Sequence, residues 1–206
     1  MTEKEYEILG KYVPETCLPI LKKWFEQRFF LLKITKKRTT KLGDFRHAFN
    51  GKPCRISVNG NLNKYSFLIT LTHEFAHLLV WDKHQNEPKS HGEEWKTEFA
   101  KLMHVHLQRG VFPPDLEKVL IKHLQNPPAS SQVDMKLVET LKKYNNTPPA
   151  LLLKEIPEGA IFVLENKRVF KKMEKRRTRI LCEEVATKKR YLIHCVAEVV
   201  VLPLSK

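Results

Sequence analysis

A glutamate between two histidines lies in the apolar segment from Leu71 to Trp81. The apolar residues in and before this segment recur at spacings of three and four, which predicts a buried amphipathic helix; they are Phe67, Leu68, Leu71, Phe75, Leu78, Leu79 and Trp81. On such a helix His73 and His77 lie one turn apart on the same side, where both imidazoles can bind one metal ion. Glu74 lies beside them, within reach of a water at that ion. This His-Glu-x-x-His pattern predicts half of a zinc site with Glu74 as general base.

A further histidine follows a polar loop, in the sequence Ser90-His91-Gly92-Glu93-Glu94-Trp95. Ser90 and Glu93 have the spacing of a capping box and predict the start of a new helix. The buried face of this helix is expected to carry Trp95, Phe99 and Leu102. His91 would then begin a helix that can fold back on the first one and offer a third ligand.

The number of ligands distinguishes two kinds of zinc site. A catalytic site has three protein ligands and one open position, whereas a structural site closes all four positions, usually with thiolates. No cysteine lies near this segment. The pattern therefore favours a catalytic site with His91 as third ligand, and Glu94 or Glu98 is the alternative.

The two motifs together, His73-Glu74-Phe75-Ala76-His77 and His91-Gly92-Glu93-Glu94-Trp95-Lys96, resemble those of the SprT-like (Spartan-like) zinc metalloproteases. The resemblance covers roughly residues 15–110. It implies one Zn²⁺ bound by His73, His77 and His91, with Glu74 as the catalytic residue. It also implies a protein or peptide substrate.

The order of elements predicts an α+β fold: a zincin-like protease domain with a small sheet packed on helices, followed by a small antiparallel β module. Residues 3–28 have a helical pattern interrupted by Gly10 and Pro14. Strands are expected at 29–36 and 54–59, and a further strand or hairpin within 37–49, before the histidine helix. Further helices are expected at 115–124 and 133–144. We expect the protease domain with its additional helices to span residues 1–150.

Residues 151–206 are predicted to form the β-rich module, because short apolar runs alternate there with polar turns; the runs are 161–164, 168–171, 179–182, 191–194 and 197–202. This module resembles a zinc ribbon without its cysteines. The four cysteines, Cys17, Cys54, Cys182 and Cys195, form no Cys-x-x-Cys pair and are expected to be small buried hydrophobes.

The positive charge of the chain is concentrated near its end. The net charge is +14, and residues 166–190 contain eleven Lys or Arg against three acidic residues. A basic surface of this density favours polyanions, of which nucleic acid is the main example. DNA is thus a candidate partner, and the residues expected to contact it are Lys171, Lys172, Lys175, Arg176, Arg177 and Arg179. A solvated strand face is the alternative interpretation.

The sequence contains no apolar run of about 18 residues, and the segment from Met1 to Glu5 contains no apolar h-region, so neither a membrane span nor a signal peptide is expected. We therefore predict a cytoplasmic protein without a membrane partner. Two functions remain. The first is a zinc-dependent endopeptidase, for which DNA-associated proteins are a candidate substrate. The second is a nucleic-acid-binding or interaction protein with a vestigial metal site. Spacing alone also permits a hydrolase of a non-protein substrate.

Overall fold

The computed structural model describes residues 2–85, 89–145 and 151–202. The chain divides into two compact units, Met1–Asn145 and Asn146–Lys206. The first unit packs helices around a small sheet, and the second is a β-sheet. The predicted α+β class is confirmed.

The first unit begins with helices α1 (Glu3–Gly10) and α2 (Leu18–Gln27), followed by strands β1 (Leu31–Thr35), β2 (Gly43–Arg46) and β3 (Arg55–Asn59). Helices α3 (Lys64–His84), α4 (Glu93–Gln108), α5 (Pro114–His123) and α6 (Met135–Lys142) complete it. The strand order is β1-β3-β2, in which β3 runs parallel to β1 and antiparallel to β2. As a result β2 lies at one edge of the sheet, next to α3.

Helix α3 is the centre of the first unit. The side chain of Asn63 accepts a hydrogen bond from the backbone N–H of Ser66 and so caps the helix, as the capping preference of asparagine favours. Eleven of its residues are buried, on more than one face of the helix, because the sheet and α2 and α4 all pack against it. Trp24 of α2 stacks on Phe75 with ring centroids 4.4 Å apart. The predicted histidine helix is therefore present, and it is more completely buried than an amphipathic surface helix.

The predicted start of α4 is wrong. The helix begins at Glu93 with Gly92 as N-cap, and no side chain caps it, so Ser90 and Glu93 do not form a capping box. His91 precedes the helix in a tight turn, in which the N–H of Gly92 donates to the carbonyl of Lys89 at 2.8 Å. Its φ of 61° is in the left-handed region, which histidine adopts more readily than most residues other than glycine. The predicted burial of Trp95 and Phe99 is correct.

Helices α5 and α6 follow as a packed pair near the end of the first unit. Pro114 occupies the first position of α5, where a missing N–H costs nothing. Asp134 caps α6 by accepting a hydrogen bond from the N–H of Leu137 at 3.2 Å. Both helices lie close to the predicted ranges.

The second unit is an antiparallel sheet with strand order β7-β6-β5-β4-β8. Its strands are β4 (Ile161–Val163), β5 (Val169–Arg176), β6 (Arg179–Glu184), β7 (Arg190–His194) and β8 (Val200–Val201). Phe162 and Phe170, both buried, stack with centroids 5.8 Å apart in its small core. Strand β5 is longer than predicted, because the basic run to Arg176 continues the hairpin with β6. The zinc-ribbon resemblance of this unit stays a prediction.

All four cysteines are free thiols, and Cys17, Cys182 and Cys195 are buried, whereas Cys54 is half-buried. Burial raises the pKa of the Cys17 thiol to about 12, which makes it unreactive. Among the described residues, no helix combines the length and apolar character needed to cross a membrane.

The buried imidazole of His106 predicts that stability depends on pH. His106 is fully buried in α4 beside Trp24, and within the described chain neither ring nitrogen has a hydrogen-bond partner. Burial lowers its pKa from 6.5 to about 4, so the folded state keeps it neutral while the unfolded chain protonates it below 6.5. This group therefore stabilises the fold less and less as the pH falls from about 6.5 to about 4, by up to about 3 kcal/mol.

The measurement is the free energy of unfolding in urea between pH 7 and pH 4, for the wild type and for His106→Leu. We expect the variant to lose less stability over this range than the wild type. His104→Leu, which changes an exposed histidine of the same helix, is the control and should behave as the wild type. Parallel curves for His106→Leu and the wild type would contradict the prediction.

Candidate metal centre

Three histidine side chains converge in the first unit. The Nε2 atom of His77 lies 3.3 Å from that of His73 and 3.0 Å from that of His91, and the Nε2 atoms of His73 and His91 are 3.0 Å apart. Two nitrogens bound to one zinc at about 2.0–2.1 Å in tetrahedral geometry would be about 3.3 Å apart. Within the described residues this is the group of side chains that can hold a metal ion, and no fourth His, Cys, Asp or Glu joins it. The donor set and its spacing fit a tetrahedral ion with one open position.

The protonation of the three imidazoles also suits a cation. Burial, and then the neighbouring His77 and His91, lower the pKa of His73 to about 2. Burial, and then His91, lower that of His77 to about 4, and burial lowers that of His91. All three rings are therefore neutral at pH 7, with nitrogen lone pairs available to a metal.

The turn before α4 directs His91 toward the other two rings. His91 lies outside α3 and has a left-handed backbone conformation. This conformation brings its ring to the ends of the His73 and His77 side chains, which lie one turn apart on α3. A non-glycine residue in this conformation costs about 1–3 kcal/mol, and such strain is often found at functional sites. The Oγ of Ser90 lies 3.1 Å from Nδ1 of His91, a contact that orients the ring with Nε2 toward the cluster.

Glu74 lies on the same helix as two of the histidines and packs against strand β2. Gly43 is the reason that the carboxylate fits there: a Cβ at this position would lie 2.4 Å from Oε1 of Glu74 and 2.7 Å from Cγ2 of Thr70. The backbone N–H of Phe45 donates a hydrogen bond to the carboxylate. Glu74 is 7% exposed, so strand β2 shields its carboxylate from bulk water.

Burial raises the pKa of Glu74 to about 8, and the nearby charge of Asp44 adds to this effect. Arg38, the Phe45 hydrogen bond and Lys41 act in the opposite direction. A divalent cation at the three histidines would also lower this pKa, because an opposite charge favours the ionised carboxylate. The metal site and the carboxylate are thus electrostatically coupled.

The three histidines and Glu74 open into one cleft with a volume of about 470 Å³. Residues 40–45, which lead into and include most of β2, line it, and so do His123 and residues 128–131. Because β2 is an edge strand, its backbone faces this cleft without a further strand beside it in the described part of the sheet. An extended peptide could add to such an edge by backbone hydrogen bonds.

The alternative third ligands lie elsewhere. Glu98 is paired with Lys83 at 2.6 Å, and Glu94 is exposed on α4. Neither belongs to the histidine cluster.

The predicted nucleic-acid contacts all lie in the second unit, and one of them needs correction. Lys172 is 9% exposed, and its Nζ donates to the carbonyl of Ile156 at 2.5 Å, so it is a buried structural residue. Strand β5 alternates between its two faces, which places Lys172 inward beside exposed Lys171. The other four are exposed near the β5–β6 turn: Lys175, Arg176, Arg177 and Arg179.

Sequence reasoning missed two residues of the cleft, Gly43 and His123, and also Asp134, which contacts His123. Gly43 gave a weak signal, since a glycine in a strand often marks a close approach. His123 and Asp134 gave none, because a lone histidine and a lone aspartate of neighbouring helices show no spacing rule. Asp134 Oδ2 lies 2.9 Å from Nδ1 of His123, a contact that only the packing of α5 on α6 creates.

Comparison with known families agrees with this geometry. The model of the SprT-like family matches residues 15–118, a segment that contains the three histidines and Glu74, which confirms the resemblance predicted from the sequence. Searches of curated proteins and of solved structures found no match to the chain. His123 and Asp134 lie beyond the matched segment.

The contact between Gly43 and Glu74 predicts the effect of an added methyl group. Gly43→Ala should lower the free energy of unfolding by about 1–3 kcal/mol, the usual cost of overpacking, and displace the Glu74 carboxylate. Zinc binding should remain, because no histidine changes. Urea unfolding and elemental analysis for zinc test both parts.

Gly10→Ala is the matched control. A Cβ at Gly10 meets its nearest neighbour, Cδ1 of Leu18, at 3.5 Å, which is an ordinary contact. We expect this variant to unfold as the wild type does or at slightly higher urea. Equal stability of Gly43→Ala and the wild type would mean that the strand and Glu74 are not packed as described.

Proposed function

The chain belongs to the SprT-like family, and from this premise we propose that it is a zinc-dependent endopeptidase with His73, His77 and His91 as metal ligands and Glu74 as general base. One observation carries the proposal. Three neutral imidazole nitrogens converge at 3.0–3.3 Å beside a buried carboxylate, in a cleft bordered by an edge strand. A cytoplasmic location is part of the proposal, since unpaired cysteines are typical of a reducing compartment.

In the proposed reaction the metal site and Glu74 have different roles. When bound, zinc lowers the pKa of water and polarises a carbonyl group. Glu74 accepts the proton of the attacking water and passes it to the nitrogen of the leaving amine. The Phe45 N–H and the close contact with Gly43 hold the carboxylate in place for both transfers.

In this proposal strand β2 determines which substrates can bind. A peptide that pairs with residues 43–46 is held by its backbone, so its side chains have little influence on binding. Such a site accepts an extended or unfolded segment and cleaves within it, because an edge strand does not require a free terminus. The substrate class is therefore protein segments that can become extended.

A second candidate function, binding of nucleic acid, is favoured by the exposed tip of the β5–β6 hairpin. Arg176 and Arg179 lie directly opposite each other across the two strands, and exposed Arg177 is in the turn between them. Like charges in opposite positions repel, so a polyanion bound there would relieve the repulsion. Such binding would supply DNA-associated substrates to a peptidase.

Replacement of Glu74 separates chemistry from metal binding. Glu74→Gln should retain the wild-type zinc content and lose about 10²- to 10⁴-fold in kcat, because the amide cannot accept the water proton. Zinc is measured by elemental analysis, and hydrolysis by the release of peptides from denatured casein.

Two further variants act as controls for this experiment. Glu26→Gln, which changes an exposed carboxylate on α2, should leave both quantities unchanged. His91→Ala should lower both the zinc content and hydrolysis. Full activity of Glu74→Gln would exclude Glu74 as the base.

Neutralising the hairpin tip tests the second candidate. The triple variant Lys175→Ala, Arg177→Ala, Arg179→Ala should weaken binding to a duplex DNA and reduce the slope of log K against log salt by about 0.9 per lost phosphate contact. Fluorescence anisotropy with a labelled duplex measures both.

The matched control removes three exposed lysines of the first unit, Lys4, Lys22 and Lys23. It lowers the net charge by the same amount, and we expect a much smaller effect on the slope. Equal slopes for the two triple variants would mean that net charge, and not the hairpin, attracts DNA.

A further inference from the structure

A histidine outside the metal cluster also lines the cleft. His123 is the last residue of α5, and its side chain is 2% exposed. It borders the same cleft as Glu74 and the three histidines. Its Nδ1 lies 2.9 Å from Oδ2 of Asp134, so Nε2 is the ring nitrogen that a molecule in the cleft can meet.

We propose that His123 is a further catalytic residue, which donates a hydrogen bond from Nε2 to the carbonyl oxygen of the scissile peptide bond as that oxygen becomes negative, and that Asp134 is the positioning residue that orients its ring. The inference rests on the proposed peptidase function. In this inference His123, together with the metal, stabilises the negative charge that develops on the carbonyl oxygen.

The bond changes leave the protons of His123 in place. Water oxygen forms a bond to the carbonyl carbon while the π electrons of the C=O bond move to the oxygen, and Glu74 takes the water proton. When the carbonyl re-forms, the C–N bond breaks and the amine leaves with the proton from Glu74. This role requires a proton on each nitrogen of His123, one shared with Asp134 and one directed to the oxygen, and neither is transferred.

Two sources of negative charge lie beside the His123 ring. Asp134 provides a carboxylate at Nδ1, and the C-terminal end of α5 provides the negative end of a helix dipole. A hydrogen-bond donor at Nε2 is suited to an oxygen that is attacked in the cleft shared by His123, Glu74 and the three histidines.

Asp134 holds the imidazole of His123 in one orientation because its own carboxylate is fixed by two contacts. Its Oδ2 contacts His123 while its Oδ1 accepts the N–H of Leu137 and caps α6. The carboxylate therefore links the end of α5 to the start of α6, and the ring needs no reorganisation when charge develops in the cleft.

Two other polar side chains of the cleft are already engaged. Lys41 pairs with Asp44 at 2.7 Å, and the hydroxyl of Thr70 donates to the carbonyl of Ser66 at 2.8 Å. Among the described residues of this cleft, His123 combines burial with an orientation that is fixed by Asp134.

The test uses the full chain loaded with zinc and three substitutions. His123→Phe keeps a ring and removes the donor, His123→Gln restores a neutral N–H donor, and Asp134→Asn keeps the helix cap but removes the charge. The first readout is kcat and KM for a fluorogenic peptide from a casein cleavage site. The second is the calorimetric affinity for the same peptide with a phosphonamidate, a tetrahedral anion, in place of the scissile amide.

For His123→Phe we expect kcat to fall about 10²-fold and phosphonamidate affinity to fall by a similar factor, as for the loss of one oxyanion donor. KM, zinc content and binding of the unmodified peptide in a Glu74→Gln background should change little. His123→Gln should recover part of the loss, and Asp134→Asn should fall between His123→Phe and the wild type.

Two results would overturn the inference alone, provided that the wild type is active. The first is that His123→Phe has the kcat and the phosphonamidate affinity of the wild type. The second is that His123→Phe loses affinity for the phosphonamidate and for the plain peptide equally, which would indicate a packing role. A zinc-loaded wild type that neither hydrolyses casein nor binds the phosphonamidate would overturn the proposed function, and the inference with it. The two failures are therefore distinguishable.

Discussion

The packing of Trp95 against the three imidazoles is the contact on which the candidate site depends. Its ring centroid lies 4.5 Å from that of His73, 5.5 Å from that of His77 and 4.7 Å from that of His91, and its Nε1 donates to the carbonyl of His73. Phe99 stacks behind it at 5.0 Å. This aromatic pair joins α4 to α3, so core packing directs the histidines, and the same burial keeps their rings neutral and ready for a metal.

A second set of contacts places the edge strand beside Glu74. Arg38 donates to Oδ1 of Asn59 at 2.7 Å and to Oγ of Ser57 at 3.0 Å, and so ties the segment before β2 to strand β3. Charge-assisted hydrogen bonds of this kind are stronger than neutral ones. They fix the start of β2, where Gly43 meets the carboxylate. The three histidines and Glu74 are therefore positioned by different parts of the core, and they share one cleft because α3 carries His73, His77 and Glu74.

The second unit shows how one run of basic residues can have two roles. Successive residues of β5 point to opposite faces of the sheet, so Lys172 enters the core and satisfies backbone carbonyls while its neighbours remain in water. A buried ammonium must be hydrogen-bonded, and the two carbonyls of Lys154 and Ile156 fill that need. Charge density in a sequence thus overstates the surface available to a polyanion.

The spacing of residues within one helix was sufficient to predict the pairing of His73 with His77 and the position of Glu74, because helix geometry is local. The α+β order of elements was equally readable, since apolar periodicity distinguishes helices from strands. The local sequence pattern predicted the wrong start for α4, because the turn at His91 depends on contacts of its imidazole with α3, which are distant in sequence. The approach of Gly43 to Glu74 and that of His123 to Asp134 each join residues of different helices or strands. Such contacts have no local signature, and only the packing of the sheet and of α5 and α6 against the core determines them.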